Sequence, residues 1–307
     1  MFPRVRREAV DYFSPAGELY PLSVPAPAGR WVIGASGLGL PPVEYATTRG
    51  PAQNGVTVRD FALGPRIIQL LIRQQFCSRD GWWAGRSAIL DGLRPNRQLI
   101  ATAAVPGTLR FTRADGSRRS IGAFLEAGPG FEPSQVGRWD EWAFQEVLRF
   151  FCPDPVFYDA QEQAEAFVAS DQLVFPVTFP LVFGALAGST AITYTGTWPE
   201  YPTIVITGPA TSPRVENTTT GEFIEMDTVI PAGVSVTIAL SYGQKTVTDS
   251  LGNNLIGTVT TDSDLATFHL AAAPEAPGGV NVITVSATGT GGASSIVLTY
   301  YRRYIGM

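Results

Sequence analysis

Few residues in this chain could carry out a reaction, and they lie far apart. His269 is the only histidine. It sits in Ala266-Thr267-Phe268-His269-Leu270, where alternation predicts a strand with His269 facing away from Phe268. A Ser/His/Asp or Cys/His machine would have to use this residue, and no Gly-x-Ser-x-Gly nucleophile motif accompanies it. Glu222, Glu225 and Asp227 could supply an acid pair for glycoside hydrolysis, but the carboxyl separation that decides this is not written in sequence. Asp262-Ser263-Asp264 offers two oxygen ligands without the Gly-centred loop or the later bidentate acid of a calcium site, so Asx-turn chemistry is expected there. Gly34-Ala35-Ser36-Gly37-Leu38-Gly39 has the composition of a phosphate loop. It lacks a third glycine at the right offset, and Pro41-Pro42 stands where a helix N-terminus would have to begin, so a turn between strands is expected. Cys77 and Cys152 are too few for a disulfide framework or a zinc site, and their apolar neighbours predict buried thiols. Catalytic, metal and cofactor sites are accordingly expected to be none.

The elements around these residues read as mainly β. Arg30-Trp31-Val32-Ile33 predicts a strand ending at Gly34, Val56 to Leu63 alternates, and Arg66 to Phe76 is a longer β-rich run. Ser78 to Leu93 differs: Ser78 can cap, Trp82, Trp83, Ile89, Leu90 and Leu93 recur at helical spacing, and Pro95 stops the run. Thr108 to Arg113 and Arg118 to Phe124 flank Asp115-Gly116, a hairpin signal in which both turn residues tolerate positive φ. Trp139 to Cys152 fits helix or strand, and its run into Pro153 favours strand. Beyond residue 190 the pattern is of short strands bounded by Gly, Pro and Asn. These are the pieces of 203–226, then Val234 to Ser241, Thr246 to Thr248, Ala266 to Leu270, Val280 to Val285 and Ile296 to Tyr301, which together predict an antiparallel sandwich. Tyr300 to Tyr304 continues as a strand with Tyr301 and Arg303 on one face and Tyr300, Arg302 and Tyr304 on the other, suited to an edge or a partner contact.

Composition agrees. The 307 residues include 32 glycines and 24 prolines, with 45% hydrophobic residues, enough for packed cores with many turns. Residues 1–150 carry a balance of +5 and residues 151–307 one of −10. The contrast supports a division near the middle and could steer head-to-tail association. The arginines of the first half are scattered among acids, which is a poor nucleic-acid footprint. No secretory signal follows the basic N-terminus. Without a secretory route the sequon Asn217-Thr218-Thr219 has no meaning. The apolar window Leu173 to Ala187 is broken by Pro176 and Pro180 and is too short to span a membrane. A competing reading is a carbohydrate-binding sandwich that recognises host surface glycans. Only Trp198 of the six tryptophans lies in the second half, which counts against it.

The chain resembles the distal tail proteins of long, flexible-tailed bacteriophages (siphophages). In the second half the likeness runs through Gly196-Thr197-Trp198-Pro199-Glu200-Tyr201-Pro202, Ile206-Thr207-Gly208-Pro209-Ala210, Asn217 to Glu222, Pro231-Ala232-Gly233, Gly243-Gln244-Lys245-Thr246-Val247 and Asp262 to Phe268. In the first half it covers Gly39-Leu40-Pro41-Pro42-Val43-Glu44, Gln53-Asn54-Gly55, Trp82 to Pro95, Arg110 to Arg119 and Cys152-Pro153-Asp154-Pro155-Val156-Phe157-Tyr158. The resemblance implies an N-terminal ring domain (1–165), a β-barrel or sandwich with one helix, and a peripheral galectin-like β-sandwich (166–307). It implies a non-enzymatic virion protein forming a homo-hexamer between the tail tube protein and the tail-tip hub or baseplate. DNA would pass through that ring without specific binding. It implies no cofactor and no membrane partner, with assembly in the host bacterial cytoplasm. The galectin-like label describes a fold and does not imply sugar binding.

Overall fold

The computed structural model describes residues 9–23, 29–76, 78–94, 105–130, 143–169, 185–241 and 245–307. The chain divides into two compact units, residues 1–160 with 304–307, and residues 161–303. The return of 304–307 to the first unit has no counterpart in the sequence pattern.

The first unit contains β1 (Ala9–Phe13), β2 (Leu19–Pro21), β3 (Arg30–Ser36), β4 (Val43–Thr48), β5 (Thr57–Leu63), β6 (Arg66–Gln75), helix α1 (Arg79–Leu93), β7 (Gly107–Thr112), β8 (Arg118–Ala127), β9 (Ala143–Cys152) and β10 (Phe157–Asp159). Its main sheet runs β2-β1-β7-β8-β9-β6-β3, with β10 beside β8. Among the described residues this path is open, so the barrel alternative is not realised. In β6, Ile68, Leu70 and Ile72 point inward and Gln69 and Arg73 outward, the period of two that a half-buried strand requires. The inward set meets Leu109, Phe111, Ile121, Leu148 and Phe150 from neighbouring strands, and Ile89 and Leu93 of α1. Ser78 caps α1 as expected, its Oγ accepting from the Gly81 amide at 3.1 Å.

Two local expectations change here. β3 continues through Gly34 to Ser36 by way of a bulge against β6. In the β7–β8 turn only Gly116 has positive φ, at 88°. The loop is longer than two residues: Arg113 N bonds Ser117 O and Gly116 N bonds Arg113 O, and Asp115 is held by accepting from Ser117.

The second unit contains β11 (Gln163–Val168), β12 (Leu186–Thr193), β13 (Thr203–Thr207), β14 (Ala210–Asn217), β15 (Glu222–Glu225), β16 (Val229–Ile230), β17 (Ser235–Ala239), β18 (Thr246–Asp249), β19 (Val280–Thr288) and β20 (Ser295–Tyr300). Two antiparallel sheets, β11-β20-β13-β17-β18 and β12-β19-β14-β15 with β16, enclose one core. Ile204, Ile206, Val236, Ile238, Ile296 and Leu298 come from one sheet, and Val215, Ile224, Ile283 and Val285 from the other. That is the expected sandwich. Ala266 to Leu270 is not a strand. Thr267 N and Phe268 N both bond Asp264 O, a turn that buries Phe268, and only Leu270 makes a bridge, to Glu200. Tyr300 to Tyr304 is not continuous either, because β20 ends at Tyr300 before the short pair Arg303–Tyr304.

Candidate assembly surface

Among the described residues, β4 and β5 pair only with each other, and neither contributes a residue to the core of its unit. Val43 faces Leu63, Tyr45 faces Phe61, and Thr47 faces Val58. Alternation puts these six on one face and Glu44, Ala46, Asp60 and Ala62 on the other. The sequence is out of phase between Val58 and Phe61, which an unbroken strand would send to opposite faces. A bulge between Ala46 and Thr47 on the register absorbs the extra residue and keeps Val58 with Phe61. The turned-out Arg59 bonds Thr48 Oγ1 at 3.0 Å on the polar side. The resulting apolar face is open to solvent: Tyr45 is 62% exposed, Val58 55%, Phe61 52% and Val43 39%. A lone two-stranded ribbon is marginal in water, so an apolar face kept in phase on one requires a cover.

The ribbon is ordered at both ends. At the tip, Gly50 N donates to Gln53 Oε1 at 2.9 Å, Gln53 Nε2 to Thr57 Oγ1 at 2.9 Å, and Arg49 Nε to Gln53 O at 3.1 Å. At the root, Gly64 N donates to Pro42 O at 2.8 Å. Beyond it stands Arg66, only 1% exposed, whose guanidinium donates to the carbonyls of Pro155, Gly37 and Gly39 at 2.8 Å each and of Ile305 at 2.6 Å. It also lies 4.7 Å from the Phe157 ring centroid. Burial lowers its pKa, and its acceptors are all main-chain carbonyls, which supply the dipoles a carboxylate would otherwise provide.

The candidate chemical residues are dispersed into structural roles. His269 Nδ1 lies 2.8 Å from Thr267 O and 2.9 Å from Glu222 Oε2, and its Nε2 lies 3.2 Å from Glu275 Oε1. The ring thus ties β15 to the turn segments after it. Glu225 points instead to Arg214, at 3.0 Å, and three residues of spacing along a strand put it on the face opposite Glu222. The two do not converge as an acid pair. Asp264 makes a long-range bond, accepting from Phe223 N at 3.0 Å, in place of the Asx turn expected. Among the described residues no cluster of His, Cys, Asp or Glu could hold a metal ion. Gly34 and Ser36 belong to β3, and Gly37 forms the following turn at φ 80°. Cys152 is a buried free thiol whose pKa burial raises to about 12, whereas Cys77, Trp139 and Trp142 lie outside the described residues. Trp198 is half-buried, its carbonyl accepting from Tyr194 Oη at 2.7 Å. The feature missed from sequence is β4. Its signal was present in Val43 and Tyr45 facing Phe61 and Leu63, hidden by the phase break that the bulge repairs.

These features define a two-unit, mainly antiparallel β protein with an exposed apolar face on its β4–β5 ribbon. Residues 195–304 match the family described as Siphovirus-type tail component, C-terminal domain. No curated protein matches. Among solved structures, the Dit protein (gp 19.1) of phage SPP1, described as a paradigm of hub adsorption apparatus in Gram-positive infecting phages, is similar at a TM-score of 0.61 and 13% identity. The match covers 97% of this chain and 99% of that one. A chain of the phage P2 baseplate in its activated conformation with Ca matches at a TM-score of 0.47 and 9% identity, over 95% of this chain and 98% of that one. A chain of the same baseplate with Sr gives 0.45 and 11%, with the same coverage. The family match thus covers about three quarters of the second unit, and the fold of the whole chain is similar to that of Dit.

Proposed function

We propose that this chain is a non-enzymatic structural protein of a siphophage tail tip. In this reading six copies form a ring that joins the tail tube to the tail-tip hub or baseplate, and DNA passes through it without specific binding. The observation that carries the reading is the amphipathic β4–β5 ribbon, whose apolar face leaves Tyr45, Val58 and Phe61 more than half exposed. A closed ring needs a heterologous contact in which two different faces of each subunit meet, and an arm with one apolar side supplies one of them. The family match over residues 195–304 supports the tail assignment. The absence of a convergent acid pair or metal cluster among the described residues fits a role without catalysis. The protein would then reside in the virion tail tip after assembly in the host cytoplasm.

Native mass spectrometry and negative-stain imaging of the purified chain, alone and mixed with its tube and hub proteins, test the proposal. Six-fold rings are the expected result. A chain that stays monomeric in every mixture would overturn it.

A further inference from the structure

We infer that Arg66 and residues 304–307 form a strap that fixes the root of the β4–β5 ribbon and so sets the direction in which its apolar face is presented. The inference rests on the reading of that ribbon as an assembly arm. Among the described residues neither strand packs into the core, and the chain joins the arm to the unit through residues 37–42 on one side and 64–65 on the other. The first connection cannot satisfy itself. Its carbonyls at Gly37, Leu38 and Gly39 need donors, and Pro41 and Pro42 bring none.

All three donors come from the strap. Arg66 serves Gly37 and Gly39, and the Met307 amide serves Leu38 at 3.0 Å. Arg66 also grips Ile305, so one side chain joins the root loop to the returning segment. Arg119 holds that segment from the other side, donating to the Gly306 carbonyl with its guanidinium 3.9 Å from the Tyr304 ring centroid. Gly306 lies so close to the loop that a Cβ there would stand 3.3 Å from both Leu38 O and Gly39 O. None of these contacts reaches the strands of the arm. They act on its root, where a small change of angle becomes a large displacement of Tyr45 and Phe61. Fixing the root in advance lowers the ordering cost of the subunit contact.

Two variants of the full chain test the strap: deletion of residues 305–307, and Arg66→Lys, whose single ammonium cannot span three segments. Hydrogen exchange of the monomer is followed at 37–48 and 57–64 against β6 and β9, and assembly is followed by mass against concentration. The expected result is exchange in the arm and its root faster by roughly tenfold, with β6 and β9 protection within about twofold of the parent. Assembly should then need a concentration higher by a similar factor. Because Arg66 is buried, the deletion decides. Unchanged exchange in the arm, or equal loss of protection in β6 and β9, would overturn the strap. Phe61→Asp separates the two readings. If it assembles like the parent, the assembly arm fails, while the exchange comparison still judges the strap.

Discussion

Tyr45 and Phe61 stand directly opposite each other in the β4–β5 ribbon, and both keep more than half of their surface in water. An aromatic pair at that position adds at most about 1 kcal/mol to the ribbon itself. Replacing both with serine is therefore expected to change urea stability of the monomer by less than about 1 kcal/mol. Sedimentation of the same variant should show assembly abolished or displaced to much higher concentration, because truncating central aromatic anchors costs an interface about 2 kcal/mol or more each. Loss of monomer stability with assembly intact would reverse the assignment of this face.

In the second unit, Asn217 Nδ2 donates to Asn281 Oδ1 at 3.0 Å with both residues fully buried. Asn281 also accepts from Ala271 N at 2.8 Å and donates to Ala271 O and Gly279 O, while Asn217 donates to His269 O. The pair thereby joins β14, β19 and the segment that failed to form a strand. Asn281→Ala leaves at least one buried amide and one carbonyl without partners, at about 1–3 kcal/mol each. A loss near 3 kcal/mol is expected from chemical denaturation followed by Trp198 fluorescence. A loss below about 0.5 kcal/mol would mean that water replaces the side chain.

What the sequence revealed of this fold was its local part. The alternation of β6, β13 and β17, the cap at Ser78 and the strand leading to Cys152 follow from period and punctuation alone. Ala266 to Leu270 misled because apolar alternation there is real, yet bonds from Thr267 and Phe268 back to Asp264 win locally. The ribbon was half hidden by a phase break that only its bulge explains. The grip of Arg66 on Ile305 joins residues 239 apart in sequence, and no spacing rule reaches that far. The site was legible only by exclusion: the acids and the single histidine are present, but their partners are fixed by tertiary contacts.

Burial raises the pKa of the Cys152 thiol from 9.0 to about 12 and that of the Tyr20 hydroxyl from 10.0 to about 12. Each folded group holds its proton where the unfolded chain has lost it, so the unfolded state binds fewer protons and stability falls as pH rises. The contribution of Cys152 is fully present below about pH 9 and is lost between there and about pH 12. For any one such group the slope is at most about 1.4 kcal/mol per pH unit, and for Tyr20 the loss begins only near pH 10, its unfolded value. Urea midpoints of the first unit, read from its tryptophans at pH 8 and pH 10.5, should fall. Cys152→Ala should flatten that fall, and an identical slope in the variant would assign the alkaline loss elsewhere.

Gly37 and Gly39 are two residues apart in the root loop and should respond oppositely to the same substitution. Gly37 has φ 80°, and a Cβ there would lie 2.0 Å from the carbonyl oxygen of Ile67. No side chain can rotate away from that contact, so backbone must move, and the left-handed conformation itself costs an alanine about 1–2 kcal/mol. At Gly39 a Cβ meets nothing within 4 Å, and φ is not positive. There alanine mainly narrows the unfolded ensemble, a gain of about 0.4–1 kcal/mol. Thermal denaturation should therefore rank Gly39→Ala at or above the parent and Gly37→Ala below it by more than about 2 kcal/mol, since the steric term adds to the conformational one. Equal stability of the two variants would mean that the root loop is not held in the geometry Arg66 imposes.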